Sequence, residues 1–365
     1  MILVYDSYSE DGVHERVNYA LSRYFLTKRL KTYYISHQSF EKFGVDVNEP
    51  LCFHYKDNDF KKFFKRDLWG PIKLLITLLF RHKDFQRVCI IGYSPIQIIS
   101  LFLITRLYRN RVKFSYLFHS QLEVYNNAIS TKGSLKSFIK GTYKKIYASI
   151  LSDDQISKLV LGNHIKNNLT ESLSVKNLSS IYHPYTIKDY LNFKKKDLNF
   201  DKKVFGTVGL LRDDTKNSSS IYDLASQYPD EKFKVVGRAG PGFSFRILPN
   251  VENIQLKGLV SEEELTELSS DINYLIYDFP SHMYKYTSSG SVLDSIVWGK
   301  IPLINDNEGL RDALSGLELD IKLSDFSDLD VNMAELSTRY KKFIKSRLWY
   351  GFIEKNDSIL SEWVL

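Results

Sequence analysis

The sequence contains only two cysteines and gives no sign of a disulfide framework. Cys52 and Cys89 form no recognisable metal or redox pair. Disulfide-stabilised folds and cysteine-based metal sites therefore lose support. The cysteine usage favours a reduced, cytoplasmic location.

Long apolar runs and targeting signals are also missing. The start, Met1–Asp6, lacks the basic region and the long apolar core of a signal peptide. The longest apolar stretch, 88–108, is interrupted by Gly92, Pro95 and Arg106, whereas a membrane span needs about 20 mostly apolar residues. We therefore predict a buried strand at the start of the chain and a strand–helix unit at 88–108.

Several well-known site motifs do not occur either. There is no Gly-x-Gly-x-x-Gly fingerprint, no Walker loop and no serine-hydrolase elbow, so dinucleotide, ATP and acyl chemistry lose support. Zinc-finger spacing, an aromatic sheet signature and an arginine-rich arm are equally absent. We therefore expect no nucleic-acid partner.

What the sequence does contain is enough apolar residues for two domains. Its 365 residues are 43% hydrophobic, and domains of roughly 150 residues are common. Fifty lysines and arginines against 43 acidic residues give a formal charge of +7, which favours anionic partners.

The first part of the chain, residues 1–187, alternates short apolar runs with amphipathic segments. This pattern predicts a parallel βαβ sheet. The predicted strands are Ile2–Tyr5, Lys31–Ser36, Val88–Ile91, Lys113–His119 and Leu159–Leu161. Gly12 follows the first strand, at the carboxyl edge where ligands enter such sheets, although it could equally be a tight-turn glycine.

Two segments of this part combine basic and aromatic residues or repeat lysines. Segment 59–71 mixes lysine and arginine with phenylalanine and tryptophan, while Lys132, Lys136, Lys140 and Lys144 recur every fourth residue. Such residues suit the headgroup region of an anionic membrane, but a solvated lysine face on an ordinary helix is the alternative. Peripheral contact with the inner face of the membrane is therefore an expectation.

The alternation restarts after a polar and charged stretch at 188–203, which we interpret as an interdomain linker. Residues 204–345 form the second predicted domain, and 346–365 form a C-terminal helix that could pack back on the first. The predicted strands of the second domain are Val204–Leu211, Lys232–Val236, Ile254–Lys257, Asn273–Tyr277 and Ile301–Ile304. The whole chain is therefore predicted to be an α/β protein with two domains.

The most informative stretch is the polar loop 287–291, which precedes a short helix. Backbone N–H groups at a helix start, together with the helix dipole, bind phosphate well. Alternatively, Ser291 and Asp294 form a structural N-cap pair that satisfies the free backbone donors.

Five short motifs follow one another in the second domain. They are Val208-Gly209 with Arg212 and Lys216, Val235-Val236-Gly237-Arg238, the segment 258–265 (Gly-Leu-Val-Ser-Glu-Glu-Glu-Leu), the segment 289–294 (Ser-Gly-Ser-Val-Leu-Asp) and the segment 299–304 (Gly-Lys-Ile-Pro-Leu-Ile). In this order they resemble glycosyltransferases of the two-Rossmann (GT-B) kind, particularly family 4. The likeness covers most of the chain and is clearest from Val204 to Ile304.

The resemblance implies two Rossmann-like domains facing a central cleft, with a donor site in the second domain. It implies that Arg212 and Lys216 neutralise the diphosphate of a nucleotide-sugar, UDP- or dTDP-linked, and that Asp294 bonds the ribose hydroxyls. It also implies that residues 258–260 lie against the nucleobase. The full set assigned to donor binding is Gly209, Arg212, Lys216, Gly237, Arg238, Gly258, Leu259, Val260, Tyr286, Ser288, Ser289, Gly290, Ser291 and Asp294.

On the acceptor side, the resemblance singles out His119. It follows the fourth predicted strand, where the family often has a histidine that could accept a proton or hydrogen-bond the sugar. A structural role for His119 is the alternative. Gly12 and Arg16 are also assigned to the acceptor side.

The chain departs from the family at Tyr286, which stands where the first of two glutamates is usual. Tyr286 resembles the variant of some polysaccharide glycosyltransferases, so retention or inversion stays open. Two Asp-x-Asp triplets, 57–59 and 328–330, could hold a divalent ion as in single-domain enzymes. The first of them would leave the second domain unexplained, so we expect no metal and no other cofactor.

The sequence thus predicts a glycosyltransferase with a glycan or lipid-linked acceptor, in bacterial surface polysaccharide biosynthesis. Two alternatives remain open. One is a non-catalytic GT-B subunit that partners another glycosyltransferase, and the other is a sugar-nucleotide epimerase.

Overall fold

The computed structural model of the chain contains two compact units. The first comprises Met1–Ile187, Lys285–Ser288 and Ser346–Leu365, and the second comprises Lys188–Tyr284 and Ser289–Lys345. The residues that the structure describes are 1–9, 14–51, 59–126, 134–196, 203–240, 242–246, 251–258, 264, 267–317, 322–324 and 331–365.

The first unit is built on a seven-stranded parallel sheet with the order β3-β2-β1-β4-β5-β6-β7. The strands are β1 Ile2–Asp6, β2 Thr32–Ser36, β3 Val47–Pro50, β4 Arg87–Gly92, β5 Lys113–Phe118, β6 Ile156–Leu161 and β7 Leu178–Ile181. The direction of the winding reverses between β1 and β4, which is where open α/β sheets bind ligands.

Helices connect these strands and cover both faces of the sheet. They are α1 Glu15–Thr27, α2 Asp59–Lys62, α3 Trp69–Arg81, α4 Ile98–Tyr108, α5 Ser134–Ser152 and α6 Asn163–Ser172, with a π-helix at Phe63–Leu68 and 3₁₀ turns at Gln38–Phe43, His82–Asp84, Pro95–Gln97 and Gln121–Tyr125. Side chains of a strand alternate between faces, so Leu3 and Tyr5 face α3, α4 and α5 while Ile2 and Val4 face α1.

The second unit has a five-stranded parallel sheet with the order β10-β9-β8-β11-β12. Its strands are β8 Val204–Leu211, β9 Lys232–Ala239, β10 Ile254–Lys257, β11 Tyr274–Tyr277 and β12 Ile301–Ile304. Its helices are α7 Ile187–Lys194, α8 Asp213–Lys216, α9 Ser220–Gln227, α10 Gly290–Val297, α11 Glu308–Ala313 and α12 Met333–Arg347. The predicted class, two Rossmann-like α/β domains, is confirmed.

The last helix, α13 Trp349–Val364, belongs to the first unit. Its Trp363 is buried, and the indole Nε1–H donates to the Tyr116 carbonyl at 3.2 Å. Arg87 in turn donates to the Trp363 carbonyl at 2.6 Å. These bonds fix the end of the chain on the first sheet.

The structure differs from the sequence analysis at the expected linker 188–203. Its first part is α7, which buries Phe193 against Tyr340 in the second unit. The lysines that suggested a linker coexist with this single apolar anchor. Two strands, β3 and β7, were not predicted, because edge strands bury fewer side chains and so lack a continuous apolar run.

Within the described part of the chain, no helix is both long enough and apolar enough to cross a bilayer.

Candidate functional site

A pocket opens at the carboxyl ends of β8 and β11 in the second unit. It has an empty volume of about 450 Å³ that includes open solvent. The chain winds from β8 towards β9 and β10 on one side, and continues through β11 to β12 on the other. The pocket therefore lies at the switch point of the sheet, the usual ligand position in this architecture.

Two glycines set the approach of β8 and β9 near this edge. Gly209 and Gly237 are register partners with φ of +103° and +149°. A Cβ on Gly237 would collide with the backbone of Gly209. Both predicted glycines therefore shape the backbone beside the pocket, and neither is among the residues that line it.

The loop after β8 is held by its own polar side chains. The Arg212 N–H donates to Ser218 Oγ at 2.9 Å, and the Ser219 N–H donates to the Asp213 carboxylate at 2.7 Å. These side-chain acceptors satisfy backbone N–H groups that lie beyond the end of β8 and have no partner in the sheet. The result is a fixed turn, α8, that brings Lys216 to the pocket wall.

Lys216 supplies the positive charge of the pocket. Burial lowers its pKa, the nearby Arg212 lowers it further, and Asp294 acts in the opposite direction. Its ammonium lies 5.7 Å from the centre of the Phe279 ring. The pocket therefore offers a partly desolvated cation to an anion.

The start of α10 forms another part of the wall through Ser291. Tyr277 donates its hydroxyl to the Ser291 carbonyl at 2.8 Å, which ties the helix start to the end of β11. The N-cap residue is Ser289, which forms no side-chain capping bond, and its Oγ lies 3.1 Å from Ser291 Oγ. The alternative of a structural N-cap at Ser291 is therefore wrong, because the N-cap residue lies two positions earlier in the chain.

Arg212 is placed differently from Lys216, although both were assigned to the diphosphate. Its guanidinium donates two hydrogen bonds to the Asp214 carboxylate, at 2.9 and 2.7 Å. This bidentate contact raises the pKa of Arg212 and lowers that of Asp214. Its charge is therefore already matched within α8, and Arg212 does not line the pocket.

The other predicted donor residues of the second unit surround the pocket less directly. Asp294 lies close enough to raise the pKa of Lys216. Gly290 begins α10, whereas Arg238 and Gly258 are exposed at the ends of β9 and β10. Leu259 and Val260, expected against the nucleobase, lie outside the described residues.

Tyr286 and Ser288 do not join the pocket, because the segment Lys285–Ser288 belongs to the first unit. The Tyr286 N–H donates to Glu123 Oε1 at 3.0 Å, and its ring packs against Tyr125. His164 adds a hydrogen bond to the Thr287 carbonyl at 3.0 Å. Tyr286 is thus a core residue of the first unit, and the assignment of Tyr286 and Ser288 to donor binding stays a prediction.

The sequence analysis missed the pocket residues that follow the strands directly. Asn217 donates to the Asp278 carboxylate, and Asn305 donates to the same group at 2.8 Å. Asp278 and Phe279 come immediately after β11. The rule that ligands meet the carboxyl ends of strands would have indicated both positions.

In the first unit, His119 follows β5 and is buried. Its Nε2 lies 3.2 Å from the Ile91 carbonyl, which can only accept, so Nε2 carries the proton and Nδ1 is the acceptor. Burial lowers the pKa of His119 well below its ordinary value, and His14 and His183 lower it further. The ring is therefore neutral near pH 7.

Two further histidines accompany His119. The ring centres of His14 and His119 are 3.9 Å apart, and burial lowers the pKa of His14. Burial, with Arg16 as the next cause, lowers the pKa of His183 to about 3. Arg16 stacks over Tyr185 at 5.1 Å, and Gly12 lies outside the described residues.

The described residues contain no group of three histidine, cysteine or acidic side chains arranged to hold a metal ion. Asp57, Asn58 and the triplet 328–330 lie outside the described residues, so the structure does not test either triplet.

No protein-family model matches the chain, and no curated protein sequence matches it. Among solved structures it resembles a glycosyltransferase from Rickettsia africae, with 14% identity and a TM-score of 0.59 over 99% of this chain and 97% of that one. It also resembles HepE of Anabaena, solved with UDP, at 12% identity and a TM-score of 0.56 over 99% of both chains. The lipopolysaccharide outer core galactosyltransferase WaaB gives 14% identity and a TM-score of 0.56, again over 99% of both.

These likenesses extend over the whole length of the chain at low identity. They show that the chain has the fold of GT-B glycosyltransferases. Membership of family 4 stays a prediction.

Proposed function

We propose that the chain is a glycosyltransferase that moves a sugar from a UDP- or dTDP-linked donor to a glycan or lipid-linked acceptor. The observation that carries this proposal is the pocket at the switch point of the second sheet, with Lys216 on its wall and Ser291 at the start of α10. The UDP bound to HepE supports a nucleotide-sugar donor, because that protein shares the fold.

The chemistry of transfer fits this pocket. Breaking the bond between sugar and diphosphate leaves a nucleoside diphosphate with growing negative charge. A cation and the free N–H groups of a helix start stabilise such charge most when they are fixed in place beforehand. Lys216 and the beginning of α10 place a cation and a helix start at this pocket.

His119 is the residue that we assign to the acceptor. Its neutral ring keeps Nδ1 as an acceptor while Nε2–H is held by the Ile91 carbonyl. Such a ring can receive a hydrogen bond or a proton from an acceptor hydroxyl. Biosynthesis of a bacterial surface polysaccharide is the biological setting we propose, in keeping with the fold shared with WaaB.

The proposal is tested by titrating UDP and dTDP into purified protein in a calorimeter. Replacing Lys216 by Gln removes the charge and keeps a flexible polar side chain that is one atom shorter. A charge-assisted contact is worth about 1.5–3 kcal/mol, so the variant should bind the better nucleotide roughly 10- to 100-fold more weakly. Unchanged affinity would mean that the pocket does not hold the diphosphate.

Two variants control this experiment. Lys232 begins β9, at the amino end of the same sheet, so Lys232→Gln removes one charge from the same unit far from the pocket. His119→Gln should leave nucleotide affinity unchanged and abolish release of nucleoside diphosphate from a panel of sugar donors with acceptor present. Tight nucleotide binding without any turnover would instead indicate a non-catalytic partner subunit.

A further inference from the structure

Helices α3 and α4 of the first unit expose apolar side chains on the faces turned away from the sheet. Their inner faces are ordinary core, with Leu74 and Leu78 on α3 and Leu101 and Ile104 on α4 packed into the cluster below. The outward side chains are Ile76, Leu79, Phe80, Ile99, Leu103 and Leu107, which we call the outer face.

The side chains of the outer face are much more exposed than those of a loosely packed core would be. Phe80 is 83% exposed, and Leu103 and Leu107 are 61% and 63% exposed. Ile99, Leu103 and Leu107 recur every fourth residue and so form one continuous stripe along α4. Because α3 packs against α4, the two stripes form a contiguous apolar surface of the kind that marks an interaction site.

The chain before α3 continues this surface with aromatic and basic residues. Phe60 and Phe64 are 76% and 54% exposed, and they alternate with Lys61 and Lys65. Trp69, at the start of α3, is also exposed. Residues 59–83 contain seven lysines and arginines against two aspartates.

Two of the acidic groups near this surface are paired with arginine. Asp67 is buried and bound by Arg66 and by the hydroxyl of Ser94. Asp84 is paired with Arg81. Because residues 59–83 contain more basic than acidic side chains, the net charge of this segment is positive, which an anionic partner complements.

We propose that the outer face docks this protein onto the surface of an anionic lipid bilayer. Phenylalanine, tryptophan and leucine enter the boundary between headgroups and acyl chains, and flanking lysine and arginine meet anionic headgroups. α3 has 13 residues and α4 has 11, so each is too short to span a bilayer and docks through its exposed face. This inference stands on the surface alone and holds whether or not the transfer reaction is the function.

A vesicle sedimentation experiment tests the proposal. At low salt, the wild-type protein should sediment with vesicles containing phosphatidylglycerol and should bind purely phosphatidylcholine vesicles much more weakly. The variant Phe80→Ser, Leu103→Ser, Leu107→Ser should lower partitioning onto the anionic vesicles at least tenfold, because it removes three large apolar contacts. These side chains are exposed, so folding should survive their loss.

A matched control replaces three exposed, large side chains elsewhere in the chain with serine. Leu26, Leu191 and Tyr350 are 43%, 50% and 49% exposed on α1, α7 and α13. The variant Leu26→Ser, Leu191→Ser, Tyr350→Ser should keep wild-type binding. Equal loss in both variants would overturn the proposal, as would a wild-type protein that ignores anionic vesicles.

The tryptophan at the start of α3 gives an independent measure of depth. Vesicle binding should shift the emission of Trp69 to the blue, and lipids carrying a quencher near the headgroup should quench it. The Trp69→Phe variant should lose that response. If light scattering instead shows a wild-type dimer that the outer-face variant dissociates, with no vesicle binding, the surface is an interface between two copies and the membrane proposal is wrong.

Discussion

The carboxyl edges of the two sheets hold different kinds of side chain. In the first unit, three histidines gather there, and burial is the largest cause that lowers the pKa of each. In the second unit, the same edge has an open pocket with Lys216 on its wall. One edge therefore presents neutral rings, and the other presents a cation.

The different ordinary pKa values of histidine and lysine explain this difference in charge. A histidine has an ordinary pKa near 6.5, so desolvation of the charged form is enough to make it neutral at pH 7. A lysine starts near 10.4, so its ammonium stays charged at neutral pH although burial and Arg212 lower its pKa. The same physical effect thus produces a proton acceptor in one unit and an anion site in the other.

The largest effect should come from the backbone that shapes the second edge. Gly237 has φ +149°, and its Cβ would collide with the backbone of Gly209, which cannot move as a side-chain tip could. Overpacking combined with backbone strain costs about 3 kcal/mol or more, so Gly237→Ala should unfold the second unit at a clearly lower denaturant concentration. Circular dichroism during denaturation measures this change.

Two glycines serve as controls for that loss. Gly209 has φ +103° with open space around a Cβ, so Gly209→Ala should cost about 1–2 kcal/mol from conformation alone. Gly141 lies in α5 of the first unit and has nothing within 4 Å of a Cβ, so Gly141→Ala should be neutral or slightly stabilising. A Gly237→Ala protein as stable as wild type would show that the strands do not approach as described.

A smaller effect should appear as acid sensitivity of the first unit. The pKa of His183 is about 3 in the folded chain and about 6.5 when unfolded. Between these values the unfolded state binds more protons, so stability falls as the pH falls from about 6.5 towards 3. At pH 4.5 this one residue should lower the free energy of unfolding by about 2–3 kcal/mol.

Urea denaturation at several pH values measures that loss. His183→Gln should flatten the acid side of the profile, because one group that must stay neutral has been removed. Equal slopes for wild type and His183→Gln would show that His183 is not held neutral by folding.

The fold could be predicted from the sequence because buried parallel strands form continuous apolar runs. β1, β4 and β8 are such runs, with almost every residue buried in the first two. β3 alternates half-buried and exposed residues and has no such signal. α7 was missed because Phe193 is its one buried residue, and the polar composition of the rest of the helix is that of a linker. One buried phenylalanine is enough to dock this helix.

The site was predicted less completely than the fold. Lys216 and Ser291 do line the pocket, because position after a strand and before a helix can be read along the chain. The sequence does not tell which of Arg212 and Lys216 is already bonded to an acidic side chain. That depends on the turn of α8, which places Asp214 beside Arg212. That Tyr286 packs beside Tyr125 depends on a contact between distant segments, which no local pattern encodes.

The smallest expected effect distinguishes Arg212 from Lys216, two cations that the sequence analysis assigned to the same diphosphate. Arg212 spends its charge on Asp214 at a partly exposed position, and such pairs contribute little, about 0.2–1 kcal/mol. Because Arg212 is bonded to Asp214 and does not line the pocket, Arg212→Ala should weaken nucleotide binding at most about fivefold, whereas Lys216→Gln causes a much larger loss. Calorimetry on both variants under one buffer condition makes the comparison. An Arg212→Ala loss equal to that of Lys216→Gln would mean that Arg212 releases Asp214 and turns to the diphosphate when the nucleotide binds, so that α8 carries two cations to the ligand.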